Sequence, residues 1–258
     1  MKTLLLMLAT AATLAIPAGK AEVAQSLLPD TVNADARLQT AKNYEMKGDI
    51  ARAREEYGSA INWYSIALRY NGKDTALYNK LGIAQLKVGD LDQARRTFTQ
   101  AVKIKPANLD SLNNLGAVYC LQRKYKPAVR YLKQALALDE SRAVTHLNLA
   151  EAWMGQKQID RAMTEYARAL ELDADILTSA GKEGVFAQIQ TPEQRAMVDF
   201  MIAKAYVKRG NLEGALDYLR RAKENRFRNL STVWDDPAFA PLWQDARLAE
   251  IVKPPKAS

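Results

Sequence analysis

The chain reads as an all-α solenoid of about five antiparallel helical hairpins, closed by C-terminal capping helices. The first observation behind this reading is that Leu81/Leu115/Leu149, Ala94/Ala128/Ala162 and Ala101/Ala135/Ala169 recur at a strict spacing of 34. The second is that Gly82, Gly116 and Ala150 follow the leucines in step, while Phe98, Leu132 and Tyr166 keep the same interval. A period of that length, built from small and large apolar residues, belongs to stacked hairpins that bury their cores against their neighbours. Such a chain offers a long surface instead of a closed pocket, so a binder is expected before an enzyme.

In the first strict unit, Leu81 and Gly82 fall on one predicted helix and Ala94, Phe98 and Ala101 on a second. The latter three sit at i, i+4 and i+7, one apolar stripe. Small residues at Gly82 and Ala94 let the two helices approach closely, and Phe98 fills the space beside them. Gly89 suits a left-handed C-cap. Asp90 then caps the second helix, with Gln93 placed for a capping box, and Pro106 stands where that helix cannot continue. Three such units account for residues 75–174.

The flanking units depart from the period. Tyr44, Gly48-Asp49, Ala53, Tyr57 and Ala60 fit the pattern, but Ala53 precedes Ala94 by 41. Seven extra residues are about two helical turns. Tyr57, Ala60, Tyr64 and Ala67 continue one stripe, so residues 34–74 are expected to carry an extended second helix ending at Asn71-Gly72. On the other side, Tyr206, Gly210-Asn211, Ala215, Leu219 and Ala222 form a fifth unit over residues 192–228, with Ala215 following Ala162 by 53. An insertion is therefore expected over residues 175–191. It ends in Thr191-Pro192-Glu193-Gln194, a capping box with proline at the first helical position, so the next helix begins early and is long. In the tail, 229–258, Phe239, Leu242, Trp243 and Leu248 are expected to hide the last apolar face, with disorder from Val252 onward.

At the N-terminus, Lys2 precedes an apolar stretch over residues 3–16, broken by Pro17; Gly19-Lys20-Ala21 offers small residues at the positions a signal peptidase reads. The stretch is shorter than the roughly 20 residues of a membrane-spanning helix. Residues 1–21 therefore read as a signal peptide cleaved after Ala21, with an uncleaved anchor as the alternative, and 22–33 as a flexible linker. The expected product is exported to the periplasm or the extracellular space, without a transmembrane span. The single cysteine, Cys120, excludes an internal disulfide, so packing must supply the stability.

The net charge of +8 is uneven. Residues 80–133 hold eleven Lys and Arg against three acidic residues, and 204–228 hold eight against three. Such patches attract anionic partners: an acidic protein, a membrane surface or a polymer. The candidate basic face is Arg95, Arg96, Lys103, Arg123, Lys124, Arg130 and Lys133; the alternative is that these only solvate outer helix faces. Tyr119, Tyr125 and Tyr131 interleave with it, but nucleic acid is not the expected partner of an exported chain. Reactive groups are few. One histidine, His146, falls in a helix-packing slot, no zinc ligand set of the usual N/S type exists, and Gly181-Lys182-Glu183-Gly184 has the wrong spacing for a phosphate-binding loop. No catalytic residue, metal or cofactor is expected.

The repeat pattern resembles the tetratricopeptide repeat. Its signature slots are filled by Tyr78, Leu81, Gly82, Ala94, Phe98, Ala101 and Pro106 in one unit, with Gln85 in place of tyrosine. Leu112, Leu115, Gly116, Tyr119, Ala128, Leu132 and Ala135 fill the next, and His146, Leu149, Ala150, Trp153, Ala162, Tyr166 and Ala169 the third; Glu140 and Ala174 replace the closing proline. The resemblance implies that the first helices line a concave groove that grips peptides. By register that groove holds Ala76, Asn79, Lys80, Ile83, Leu86 and Lys87, then Asp110, Asn113, Asn114, Ala117, Cys120 and Leu121. From the third unit come Val144, Leu147, Asn148, Glu151 and Met154. Asn114 and Asn148 occupy the slot where some members carry an asparagine ladder that bonds a peptide backbone; the alternative is two solvated amides. The carboxylate clamp of chaperone-binding members is absent, because Asn79 and Ile83 hold its slots. The resemblance thus implies a protein or peptide partner with apolar side chains.

Overall fold

The computed structural model describes residues 33–173, Ile176 and 192–255. The expected signal peptide, most of the expected linker, the expected insertion apart from Ile176, the Gly181–Gly184 segment, and Thr191 and the Gln194 side chain of the expected capping box lie outside them. Among the described residues every regular element is a helix. The first hairpin pairs α1 (Ala34–Ala53) with α2 (Tyr57–Tyr70). Three more follow: α3 (Thr75–Lys87) with α4 (Leu91–Ile104), α5 (Leu109–Leu121) with α6 (Tyr125–Leu136), and α7 (Ala143–Gly155) with α8 (Ile159–Leu172). The fifth joins α9 (Pro192–Lys208) to α10 (Leu212–Glu224). Two 3-10 segments, Leu230–Trp234 and Pro237–Leu242, and the short α11 (Ala246–Ile251) close the end.

Local chemistry sets the boundaries. Asp74, Asn108 and Asn211 each accept a hydrogen bond from a backbone N–H in the first turn that follows, satisfying donors a helix start leaves open. Asp90 accepts from the Gln93 N–H at 3.0 Å, but only that half of the capping box forms, because the Asp90 N–H donates to the Gln85 carbonyl instead. Gly89 adopts φ 81° and Gly210 φ 76°, the left-handed conformation needed to turn the chain into the next helix. Inside each hairpin the aromatic slot is fully buried: Tyr64, Phe98, Leu132 and Tyr166 are all 0% exposed. Burying a side chain of this size contributes about 1.5–3 kcal/mol. Glycine makes the approach possible, since a Cβ on Gly82 would stand 2.5 Å from the Phe98 ring.

The first unit differs from the expectation. α2 spans 14 residues, no more than α4 or α8, and the added length lies in α1, which has 20. The strict period holds here too. Gly48 faces the Tyr64 ring as Gly82 faces Phe98, and Ala60 and Ala67 are buried one period before Ala94 and Ala101. Gly48-Asp49 is therefore a helical segment, and the turn falls at Arg54-Glu55-Glu56, with Glu55 at φ 61° where the next unit has Gly89. A stripe at i, i+4, i+7 looks the same one or two turns along a helix, and the offset of 41 came from that ambiguity.

The tail is also corrected in part. Phe239, Leu242 and Leu248 are 0% exposed against the fifth hairpin, whereas Trp243 remains 38% exposed. Val252 is buried and its carbonyl accepts from Trp234 Nε1 at 3.2 Å, so the order reaches past the expected start of the disordered end.

Candidate interaction surface

The first helices of successive hairpins, α1, α3, α5 and α7, form one layer knitted by polar contacts. Lys80 Nζ of α3 donates to Glu45 and Asp49 of α1, both at 2.7 Å. Ser111 Oγ of α5 donates to Asn79 Oδ1 at 3.1 Å. Arg142, the N-cap residue of α7, pairs with Asp110 at 2.6 Å, and Asn148 Nδ2 donates to Asn113 Oδ1 at 3.0 Å.

The predicted groove residues are not equally accessible along this layer. On α3, Ala76 and Lys87 are exposed and Lys80, Ile83 and Leu86 half-buried, while Asn79 is buried. On α5, Asp110 is exposed and Leu121 half-buried, but Asn113, Asn114, Ala117 and Cys120 are buried. On α7, Val144, Leu147, Asn148, Glu151 and Met154 are all buried. The open stretch is therefore the α3–α5 part.

The two ladder asparagines are 4% and 0% exposed, which excludes the solvated reading. Asn114 accepts from Asn113 Nδ2 at 3.2 Å and Asn148 donates to Asn113, so both amides are engaged inside the array instead of standing on an open surface. A buried amide left unbonded costs about 1–3 kcal/mol, and this chain of bonds removes that cost.

Charge is likewise committed. Burial pulls Lys80 toward neutrality, but its bonds to Asp49 and Glu45 outweigh that and hold its pKa above the ordinary lysine value. Lys80 is therefore clamped from within the chain and is not a free grip for a partner's carboxylate. Tyr64 donates to Asp49 Oδ1 at 2.8 Å; burial first, then that carboxylate, push its hydroxyl pKa up. One hundred and two residues on, Tyr166 donates to Glu151 from the equivalent slots. Glu151 is 6% exposed, and burial pushes its pKa up to about 7 against the lowering effect of the Tyr166 bond. Cys120 is 2% exposed and burial raises its thiol pKa strongly, so it is an inert packing residue. His146 bonds Glu165 Oε2 at 2.7 Å through Nδ1 and the Glu140 carbonyl at 2.9 Å through Nε2, a satisfied structural imidazole. Among the described residues no group of three or more His, Cys, Asp or Glu stands where it would hold a metal ion.

Glu45 and Asp49 are the groove residues that sequence reasoning missed. Stepping back 34 residues from Asn79 and Ile83 reaches both, but the offset of 41 hid them. The seven basic-face residues are split between two places. Arg95, Arg96 and Lys103 lie on α4 and Arg130 and Lys133 on α6, the outer layer, while Arg123 and Lys124 form the turn between α5 and α6. All but Arg95 are exposed, and Lys133 lies 5.3 Å over the Trp153 ring. A separate cleft of about 600 Å³ opens where α9 meets α8, floored by Ala167, Leu170, Met201 and Ala205. At its rim Lys208 pairs with Glu171 at 3.0 Å and Lys204 with Asp236 at 2.7 Å.

A layer of first helices against a layer of second helices, repeating every 34 residues, defines a helical-repeat interaction module. Family models described as tetratricopeptide repeat match residues 45–108, 79–143, 119–180 and 198–226, and the chain belongs to the tetratricopeptide-repeat family. It is 27% identical over 186 residues to anaphase-promoting complex subunit 3 of Schizosaccharomyces pombe, a match covering 70% of this chain and 27% of that protein. It is 29% identical over 119 residues to heat shock protein STI1 of Saccharomyces cerevisiae, covering 46% of this chain and 20% of that one. The chain thus spans only about a quarter of the length of these relatives. Among solved structures, MamA from Desulfovibrio magneticus superposes with a TM-score of 0.53 at 19% identity, covering 72% of this chain and 94% of that one. Such a likeness establishes the shared fold. Among the described residues no helix is long and apolar enough to cross a membrane.

Proposed function

We propose that this protein is a non-enzymatic protein–protein interaction scaffold that receives an apolar segment of a partner protein on the α3–α5 stretch of its first-helix layer. The observation that carries the reading is the placement of Ile83, Leu86 and Leu121, half-exposed on neighbouring first helices, beside exposed Lys87. Apolar side chains held part-open by packed helices suit an extended or helical peptide laid across them. The committed state of Lys80 argues against an acidic terminus as the ligand. The N-terminal stretch of residues 1–21 supports an exported, envelope-located protein, and sequencing the N-terminus of the mature chain from a periplasmic fraction tests that point directly.

The groove is tested by placing a photoreactive residue at Leu86 and, as a control, at Lys103 on the outer layer. Crosslinking to one partner from Leu86 only, lost in an Ile83→Asp variant that still melts like wild type, is the expected result. Burying a carboxylate against a bound apolar segment should weaken the complex at least about tenfold. Equal labelling from both positions, or labelling indifferent to Ile83→Asp, removes the reading. Asn114 and Asn148 are unsuitable probes, because their loss would disturb the array itself.

A further inference from the structure

The loops joining first to second helices gather at one edge of the array. Gln122 Nε2 in the α5–α6 turn donates to Asp92 Oδ1 at the start of α4, 3.0 Å away. Gly155 at the end of α7 lies so close to the Tyr125 ring, at the start of α6, that a Cβ would not fit between them. Three successive turns therefore abut. Exposed Lys87, Arg123, Lys124, Lys126 and Lys157 stand on them, and none has an ion-pair partner among the described residues. The acids of these three turns are Asp90, which caps α4, Asp92, held by Gln122 and 3.8 Å from Arg95, and exposed Asp160; the turn of the first hairpin adds exposed Glu55 and Glu56 at the α1 end of the edge. Two large apolar side chains protrude there as well: Val88 is 51% exposed and Ile159 44%.

This arrangement defies local helix physics. The first turn of α6 carries Lys126 and no acid, and its N-cap is Lys124, although a helix N-terminus favours anions. The sister helix α4 has Asp90 and Asp92 at the same positions. A local rule broken without a structural return marks a surface kept for another purpose. The cations and apolar tips sit together on three abutting turns at the ends of the hairpins. Positive charge and exposed apolar side chains are thus presented side by side, the combination that an anionic headgroup layer over acyl chains complements.

We propose that this turn edge docks on an anionic lipid bilayer, with Val88 and Ile159 entering the headgroup layer and Arg123, Lys124, Lys126 and Lys157 on lipid phosphates. The docked turns adjoin Leu86, Lys87 and Leu121 at the ends of α3 and α5, so the bilayer would meet one end of the α3–α5 stretch and leave Ile83, a turn back along α3, open.

The experiment is co-sedimentation of the full chain with phosphatidylglycerol-containing vesicles and with pure phosphatidylcholine vesicles. Every variant retains the same N-terminal apolar stretch, so its contribution cancels. Wild type should favour the anionic vesicles and lose binding as salt rises. Lys124→Glu/Lys126→Glu/Lys157→Glu should weaken partitioning by about a hundredfold or more, without lowering the melting temperature, since acids suit a helix start. Val88→Ser/Ile159→Ser should weaken it by about tenfold. Unchanged partitioning of either variant overturns the proposal. So does release of wild type from vesicles by soluble polyglutamate together with indifference to Val88→Ser/Ile159→Ser, which would assign the edge to an acidic protein.

Discussion

Two slots vary together through the array. Where the aromatic slot holds tyrosine, the first-helix slot beside it holds a carboxylate: Tyr64 with Asp49, Tyr166 with Glu151. Where it holds Phe98 or Leu132, the partner slot is Ile83 or Ala117. A buried hydroxyl needs an acceptor, and an apolar ring does not. The two tyrosine pairs differ in their surroundings. Asp49 also meets Lys80, whereas Glu151 is buried with Tyr166 as its hydrogen-bond partner and Cys120 nearby. Folding therefore raises the pKa of Glu151 from the ordinary 4.5 to about 7. A carboxyl whose pKa rises on folding binds its proton more tightly in the native state. Its stabilising effect is complete below about pH 4.5 and is lost as pH climbs to about 7. Glu151→Gln, which keeps an acceptor for Tyr166 but cannot ionise, should be near neutral at pH 4. At pH 8 it should stabilise by up to roughly 3 kcal/mol. Urea unfolding at the two pH values checks this, and an equal effect at both would show that Glu151 does not titrate with folding.

At the scale of the element, the turn joining the two helices of a hairpin is the most regular device in the chain. Glu55, Gly89, Arg123 and Lys157 follow one another at 34 residues, and all adopt positive φ, at 61°, 81°, 57° and 61°. Only Gly89 adopts this conformation without strain; a side chain there costs roughly 1 kcal/mol. Glu55→Gly should therefore raise stability by about 0.5–1 kcal/mol, visible as a higher urea midpoint with an unchanged slope. A destabilised variant would mean that the Glu55 side chain makes a contact outweighing the strain. This turn also explains what the sequence made legible. Gly89 and Gly210 advertise their turns, and small–large pairs such as Gly82 with Phe98 locate the helices they join. Glu55 advertises nothing, so the sequence pattern alone places the first hairpin seven residues out of register, and Glu45 and Asp49 fall outside the candidate surface with it. The accessibility of that surface was hidden for a different reason. Register assigns a side chain to a face, but whether Asn148 on that face meets a ligand or Asn113 depends on the neighbouring helix, which no local pattern records.

At the scale of the whole molecule, a stack of identical units has to be told where to stop. Lys47 of α1 stands in the slot filled by Leu81, Leu115 and Leu149 in the units that follow, and it lies 5.1 Å over both the Tyr44 and Trp63 rings. A lysine there leaves a charged face where another hairpin would need an apolar one. At the other end the chain folds its own cover. Val233, Phe239, Leu242 and Leu248, each 0% exposed, form one cluster with Phe200 of α9 and Leu216 and Leu219 of α10. Because solenoid stability is a sum over neighbours, losing this cover should act locally before it acts globally. A chain ending at Arg228 exposes the outer face of the fifth hairpin and forfeits several buried side chains, each contributing about 1.5–3 kcal/mol. Amide exchange in α9 and α10 should then approach unfolded rates while α3 to α6, two interfaces away, stay protected. Loss of protection throughout would show that the array folds as one cooperative body despite its repeats. Unchanged protection in α9 and α10 would show that the C-terminal segment does not stabilise the hairpin it covers.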